Sequence, residues 1–351
     1  MVVLGMGLTA AGYCEEAPNA EMKGLEMNGT KLRFIESNGI QLRIAEQGEG
    51  PLVIMLHGFP ESWYSWRHQL PALAEAGYHA VAPDLRGYGK SDKPESIQAY
   101  DILQLTADIV GIVDAMGHET AVVVGHDWGA PVAWHCALLH PDRFSAVVGM
   151  SVPYAGRGGG SPIDGMKKIY GENFFYILYF QEPGVAEAEF DADPHAVISR
   201  MYTSPDAPRE MPEITDPKAN AGGMIGRMGK PKELPPWLSQ KELDYFVGEF
   251  AEAGFRGGIN FYRNIERNWE ITAQLAGVQI KQPSYFIAGE MDMVIRTMFR
   301  APDAERLEEL MRPALPDLRG VKVIPKAGHW IQQERPAETN AALIEFLDSL
   351  K

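Results

Sequence analysis

The stretch that most limits what this chain can fold into is residues 122–130, VVVGHDWGA. Three consecutive valines after Ala121 read as a short strand buried on both faces, as in a parallel sheet. The next five residues, Gly125-His126-Asp127-Trp128-Gly129, fit the G-x-nucleophile-x-G frame, in which a sharp strand-to-helix turn lifts one side chain clear of the sheet. Glycines flank such a turn because a Cβ would collide there. The raised residue is Asp127. Its carboxylate, with an ordinary pKa of about 3.9, is anionic at neutral pH and can attack without a base. Attack on an sp³ carbon leaves an ester on the enzyme, and release then needs a general base and an oxyanion hole. Alone, the pentapeptide leaves Asp127 equally readable as a helix N-cap.

The flanking chain supplies the sheet that an elbow requires. Leu32 and Phe34 alternate in one run, Ile40, Leu42 and Ile44 in another, and Asn38-Gly39 between them signals a hairpin. Residues 52–56 read as a buried strand ending in His57-Gly58-Phe59-Pro60, and 80–82 as another before Pro83-Asp84. Helical spacing follows each of them: Trp66, Leu70 and Leu73, then Ile102, Leu105, Ile109, Ile112, Val113 and Met116. After the elbow come a helix over 130–139 and a strand over 146–150. The alternation stops at Ser151 and resumes with strands at 284–288 and 321–324 and helices near 305–311 and 338–350. The expected fold class is therefore α/β: a mostly parallel, doubly wound sheet preceded by a hairpin and interrupted by a helical insertion. The expected division is an N-terminal segment at 1–24, a core at 25–152 and 270–351, and a helical cap at 153–269.

Composition narrows the partners. The 351 residues are enough for about two domains, and the net charge of -15 argues against nucleic acid or an anionic membrane surface and favours a small neutral substrate. Cys14 and Cys136 are too few for a disulfide framework, so both are read as free thiols. The opening MVVLGMGLTAAGYC is too short to span a bilayer and lacks the basic start of a secretory signal. It reads either as a loosely held N-terminus, implying a cytoplasmic protein, or as the remnant of an export signal. Neither Gly156-Arg157-Gly158-Gly159-Gly160 nor Gly222-Gly223 has the lysine and hydroxyl of a phosphate loop, and both read as flexible turns. No histidine spacing suggests a metal site.

Ligands of open parallel sheets bind at the carboxyl ends of the strands. His329 lies just past the last expected strand and Asp292 just past the one before, giving the order nucleophile, acid, histidine. Glu290 is the nearest competitor to Asp292, which is favoured. Backbone N–H groups of Trp128 and Phe59 are the expected oxyanion donors.

The stretches HGFPESWYSWRHQLPALAEAGYHAVAPDLRGYGKSDKP, GHDWGAPVAW, YFQEPGVAEAE, FRGGINFYRNIERNW and AGHWIQQERP resemble the epoxide hydrolases of the α/β-hydrolase fold, most of all the hydrolase domain of soluble epoxide hydrolases. The resemblance runs from His57 to Pro336 and is weaker over 200–230. It implies conversion of an epoxide to a vicinal diol through a hydroxyalkyl ester on Asp127, hydrolysed by water activated by His329 with Asp292 behind it. It also implies two cap tyrosines that donate to the epoxide oxygen, mapping onto Tyr176 and Tyr262. Tyr179 competes with Tyr176, and only the resemblance separates them. Trp63, Trp128, Tyr176 and Tyr262 are expected to line an apolar substrate tunnel; no cofactor is expected, and a homodimer is possible by resemblance. A haloalkane dehalogenase with the same nucleophile, or a non-catalytic binder on this fold, are the alternatives.

Overall fold

Eight strands form one sheet in the order β1-β2-β4-β3-β5-β6-β7-β8, in a computed structural model that describes residues 29–351. The apolar opening stretch and Cys14 lie outside the described residues. The strands are β1 (Lys31–Ser37), β2 (Ile40–Gln47), β3 (Leu52–Leu56), β4 (His79–Pro83), β5 (Ala121–His126), β6 (Phe144–Met150), β7 (Ser284–Gly289) and β8 (Leu318–Ile324). Pairing is antiparallel from β1 through β2 to β4 and parallel from β4 to β8. Every residue of β3 and β5 is buried, which accounts for their unbroken runs of Val, Ile, Leu and Met.

The hairpin turns at Asn38-Gly39 as expected, but its buried face does not follow the Leu32 and Phe34 alternation. Ile35 and Ser37 point inward, while Phe34 is half exposed. The strand is an edge covered on one side by α2 (Ile102–Ala115), where Ser37 Oγ donates to the Asp108 carbonyl. A pattern of two apolar residues could not say which face α2 would cover.

Before α2 comes α1 (Gln69–Glu75), and after β5 comes α3 (Gly129–Leu139). The segment between β6 and β7 adds no strand to the sheet. It holds α4 (Pro162–Tyr170), α5 (Tyr176–Tyr179), α6 (Val185–Phe190), α7 (Pro194–Met201), α8 (Gln240–Ala253), α9 (Arg256–Arg263) and α10 (Ile265–Ile271). The chain closes with α11 (Ala304–Met311), α12 (Ile331–Glu334) and α13 (Pro336–Asp348). Among the described residues, no helix is long and apolar enough to cross a membrane.

A buried ion cluster fastens α8 onto the sheet. Arg43 of β2 pairs with Asp84, just after β4, and with Glu249 of α8. Asp84 also accepts the Trp63 backbone N–H at 3.0 Å. The side chain of Trp63 is fully buried and donates from Nε1 to the Tyr245 hydroxyl at 3.0 Å.

Candidate active site

The turn after β5 has the geometry that its glycines imply. Asp127 sits at φ +49°, in the left-handed region that non-glycine residues seldom enter. A Cβ on Gly125 would lie 2.0 Å from the Gly129 carbonyl oxygen, and one on Gly129 would lie 2.1 Å from that of Leu56. Only glycines let α3 start this close to β3 and β5.

Asp127 is held by both of its oxygens. Oδ1 accepts the Phe59 N–H at 2.8 Å, and Oδ2 lies 3.4 Å from His329 Nε2. The Trp128 N–H, at the N-cap of α3, makes no hydrogen bond to this carboxylate. The other ring nitrogen of His329, Nδ1, is 3.1 Å from each oxygen of Asp292, whose Oδ1 also accepts the Val294 N–H at 2.8 Å. Glu290 turns away and accepts the Lys326 N–H at 2.9 Å. Asp292 is thus the acid that meets the histidine.

The charges follow from this packing. Burial alone would lower the His329 pKa, but Asp292 and Asp127 on either side outweigh it and hold the ring well above its usual value. Burial would likewise raise both carboxylates, yet the imidazolium keeps Asp127 and Asp292 below theirs. The packing therefore favours the imidazolium form of His329 between the two carboxylates.

A cavity of about 610 Å³ opens on this group, lined among others by Phe59, Asp127, His329, Tyr176 of α5 and Tyr262 of α9. The two tyrosine rings meet edge to face at 5.7 Å. Burial, with the Asp127 charge next in weight, pushes both phenols above their ordinary value, so both stay protonated. Tyr179 is absent from the lining because its hydroxyl donates to Glu189 at 2.7 Å. Of the other two expected tunnel residues, Trp63 is fully buried in the core, and Trp128, partly buried, packs edge to face against Tyr262 at 5.1 Å.

A buried polar network behind the site escaped the sequence reading. Glu61 accepts the Gly58 N–H at 2.8 Å and faces His126 Nδ1 at 2.7 Å; His126 Nε2 faces the His329 carbonyl at 2.7 Å, and Gln332 Nε2 donates to Glu61 at 2.9 Å. Each nitrogen of His126 thus faces an oxygen, one from Glu61 and one from the His329 backbone. The network joins the loop that bears the Phe59 N–H to the loop that bears His329. Two ionisable residues beside the loop and elbow motifs, Glu61 in HGFPES and His126 before the nucleophile, were its signal in the sequence. His57, in contrast, braces its loop: Nε2 accepts the Leu85 N–H at 3.0 Å and Nδ1 reaches the Gly58 carbonyl at 2.9 Å. Among the described residues, no group of three or more His, Cys, Asp or Glu is arranged to hold a metal ion.

The sheet order, the elbow and the strand-end histidine and acid define an α/β-hydrolase. Residues 51–203 match the family model described as alpha/beta hydrolase fold. Epoxide hydrolase A of Mycobacterium tuberculosis is 51% identical over 328 residues, covering 93% of this chain and 99% of that protein. The crystal structure of epoxide hydrolase A from Mycobacterium thermoresistibile superposes with a TM-score of 0.80 at 48% identity, covering 91% of this chain and 98% of that one. Epoxide hydrolase VrEH1 from Vigna radiata gives 0.81 at 40% identity, with 92% and 99% covered. The chain belongs to the epoxide hydrolases of the α/β-hydrolase fold, hydrolases that act on ether bonds.

Proposed function

We propose that this enzyme opens a small neutral or apolar epoxide in two covalent steps, with 153–269 acting as the cap that carries both proton donors over a core made of 25–152 and 270–351. Asp127 Oδ2 attacks a ring carbon, the C–O bond breaks, and Tyr176 and Tyr262 donate to the departing oxygen. The product is a hydroxyalkyl ester on Asp127. A phenol suits this task because the opening ring yields an alkoxide far more basic than itself.

Ester formation erases the negative charge of Asp127. One of the two carboxylates that held the His329 imidazolium is thereby lost, so the ring gives up its proton more readily after ring opening than before, and that proton restores the phenol of the tyrosine that protonated the epoxide oxygen. Neutral His329, oriented by Asp292, then takes a proton from water, which attacks Cγ of Asp127. The Phe59 N–H, already on Oδ1, stabilises the oxyanion, and the Trp128 N–H is the second proposed donor. Collapse releases the diol and restores the carboxylate with one oxygen from water.

The observation that carries this reading is the split of the Asp127 carboxylate, one oxygen on the Phe59 N–H and the other beside His329, in a cavity shared with both tyrosines. A single turnover of styrene oxide in ¹⁸O-water with excess enzyme tests it. Label is expected in the peptide bearing Asp127 and not in the first diol; label in the diol alone would overturn the ester route.

A further inference from the structure

The sequence reading left Gly222-Gly223 as a flexible turn, and the structure gives these residues a different setting. They open a half-buried strap, 222–229, that carries Met224 and Met228 into the wall of the substrate cavity. Glycines at 222, 223, 226 and 229 would leave such a strap with much conformational freedom. Two charged side chains from different helices remove it.

From α6, Glu189 accepts the Met224 and Ile225 N–H groups, both at 2.9 Å, together with the Tyr179 hydroxyl. From α7, Arg200 donates to the Ile225 and Met228 carbonyls at 2.8 and 3.1 Å and reaches Glu213 with its other nitrogen at 3.1 Å. The short 3-10 turn Ile225–Arg227 is therefore capped by an anion on its N–H groups and a cation on its carbonyls. The fit at the anionic end is close. A Cβ on Gly223 would lie 2.2 Å from the Glu189 carboxylate, so glycine is what lets the strap lie flush on it. Met291 and Met293, the neighbours of Asp292, also line this cavity.

We infer that Glu189 and Arg200 are specificity-determining positioning residues: they lock the 224–228 turn so that Met224 and Met228 form a fixed wall that sets how bulky an epoxide the cavity admits. The inference rests on the epoxide-opening reading of this cavity. Glu189 touches no reacting atom. Methionine adapts its shape readily, so the selectivity of this wall depends on the backbone beneath it being held. Diverting Tyr179 is a second effect of the same carboxylate, since it leaves Tyr176 and Tyr262 as the phenols that line the cavity.

The test has a direct and a functional part. In the wild-type enzyme, hydrogen exchange followed by NMR should find the Met224 and Ile225 amides protected despite their place in a strap; exchange at unprotected rates would overturn the clamp. In Glu189→Gln the amide nitrogen faces an N–H, and in Gly223→Ala the new methyl pushes the carboxylate away. Both variants should lose that protection and shift the ratio of kcat/KM for trans-stilbene oxide over styrene oxide toward the bulkier substrate by about tenfold, the worth of a misplaced methylene. Met228→Ala should shift the ratio the same way and serves if the clamp variants do not fold. In Gly223→Ala the kcat for styrene oxide should stay within about twofold of wild type, since the reacting groups and the cavity lining keep their side chains. An unchanged ratio, or an equal fall for both substrates, would overturn the inference. Failure of the covalent reading is distinguishable, because it would show as label in the diol of the wild-type enzyme.

Discussion

His329 carries opposite requirements in the two proposed steps, and single residues can be tested on that basis. As an imidazolium it supports the Asp127 anion; as a base it must be neutral. In the ester the Asp127 charge is gone and Asp292 alone supports the imidazolium, yet acid still protonates the ring, so hydrolysis of the ester should slow as pH falls while ring opening proceeds. Rapid-quench kinetics should therefore find alkylated enzyme accumulating at lower pH, and diol release rising with pH until His329 is neutral. His329→Gln should trap the ester and be seen by mass spectrometry as enzyme plus substrate; a variant that turns over normally would remove His329 from the mechanism. Tyr176→Phe and Tyr262→Phe should each slow ring opening by about a hundredfold and leave hydrolysis of a preformed ester unchanged, as expected for proton donors to the first step only. Both tyrosines lie in a segment rich in Phe and Tyr, where nothing local marks one ring as a proton donor. What separates them from Tyr179 is the position of Glu189, which lies ten residues further on and has no mark in the local pattern.

At the level of elements, α8 is joined to the sheet by the Arg43 cluster. Replacing Arg43 with Met would leave Asp84 and Glu249 buried without the guanidinium between them. Loss of one member of such a pair costs about 3–5 kcal/mol, so urea denaturation should show a clearly lowered midpoint. The elbow is constrained by backbone. Gly129→Ala would press a methyl onto the Leu56 carbonyl, and overpacking of this kind costs about 1–3 kcal/mol, read as a fall in Tm with a larger fall in activity because Asp127 moves with α3. Elements built on continuous apolar runs were legible: the expected strand over 52–56 coincides with β3, and the expected helix over 130–139 differs from α3 by one residue. The edge strand β1 was legible as a strand but not in its facing, because its burial is set by α2 from across the chain.

At the scale of the whole molecule, the many carboxylates set the acid limit of stability. Glu46, bonded to His79 and to Arg33, is held at about 2 instead of 4.5, and Asp127, Asp292 and Glu61 are also held below their usual values. A depressed carboxylate stabilises the fold fully above its unfolded pKa and loses that contribution as pH falls toward its folded one. His57, His68, His135 and His140 are held below the usual histidine value by burial, so the fold also loses stability below about pH 6.5 as the unfolded chain takes up those protons. Tryptophan fluorescence should thus report urea stability falling in that range and more steeply below about 4.5, where Glu46→Gln should flatten part of the loss. By itself the sequence determined the alternation of strand and helix, the elbow at Asp127 and the order of aspartate, acid and histidine, because short-range periodicity and strand-end position fix those features. Tertiary structure alone decided that Asp292 and not Glu290 meets His329, that Trp63 is core, that Glu61 and His126 join the two catalytic loops, and that Glu189 holds the cavity wall. Each of those outcomes depends on which side chains two distant segments bring within hydrogen-bond reach, and no local pattern of residues encodes that distance.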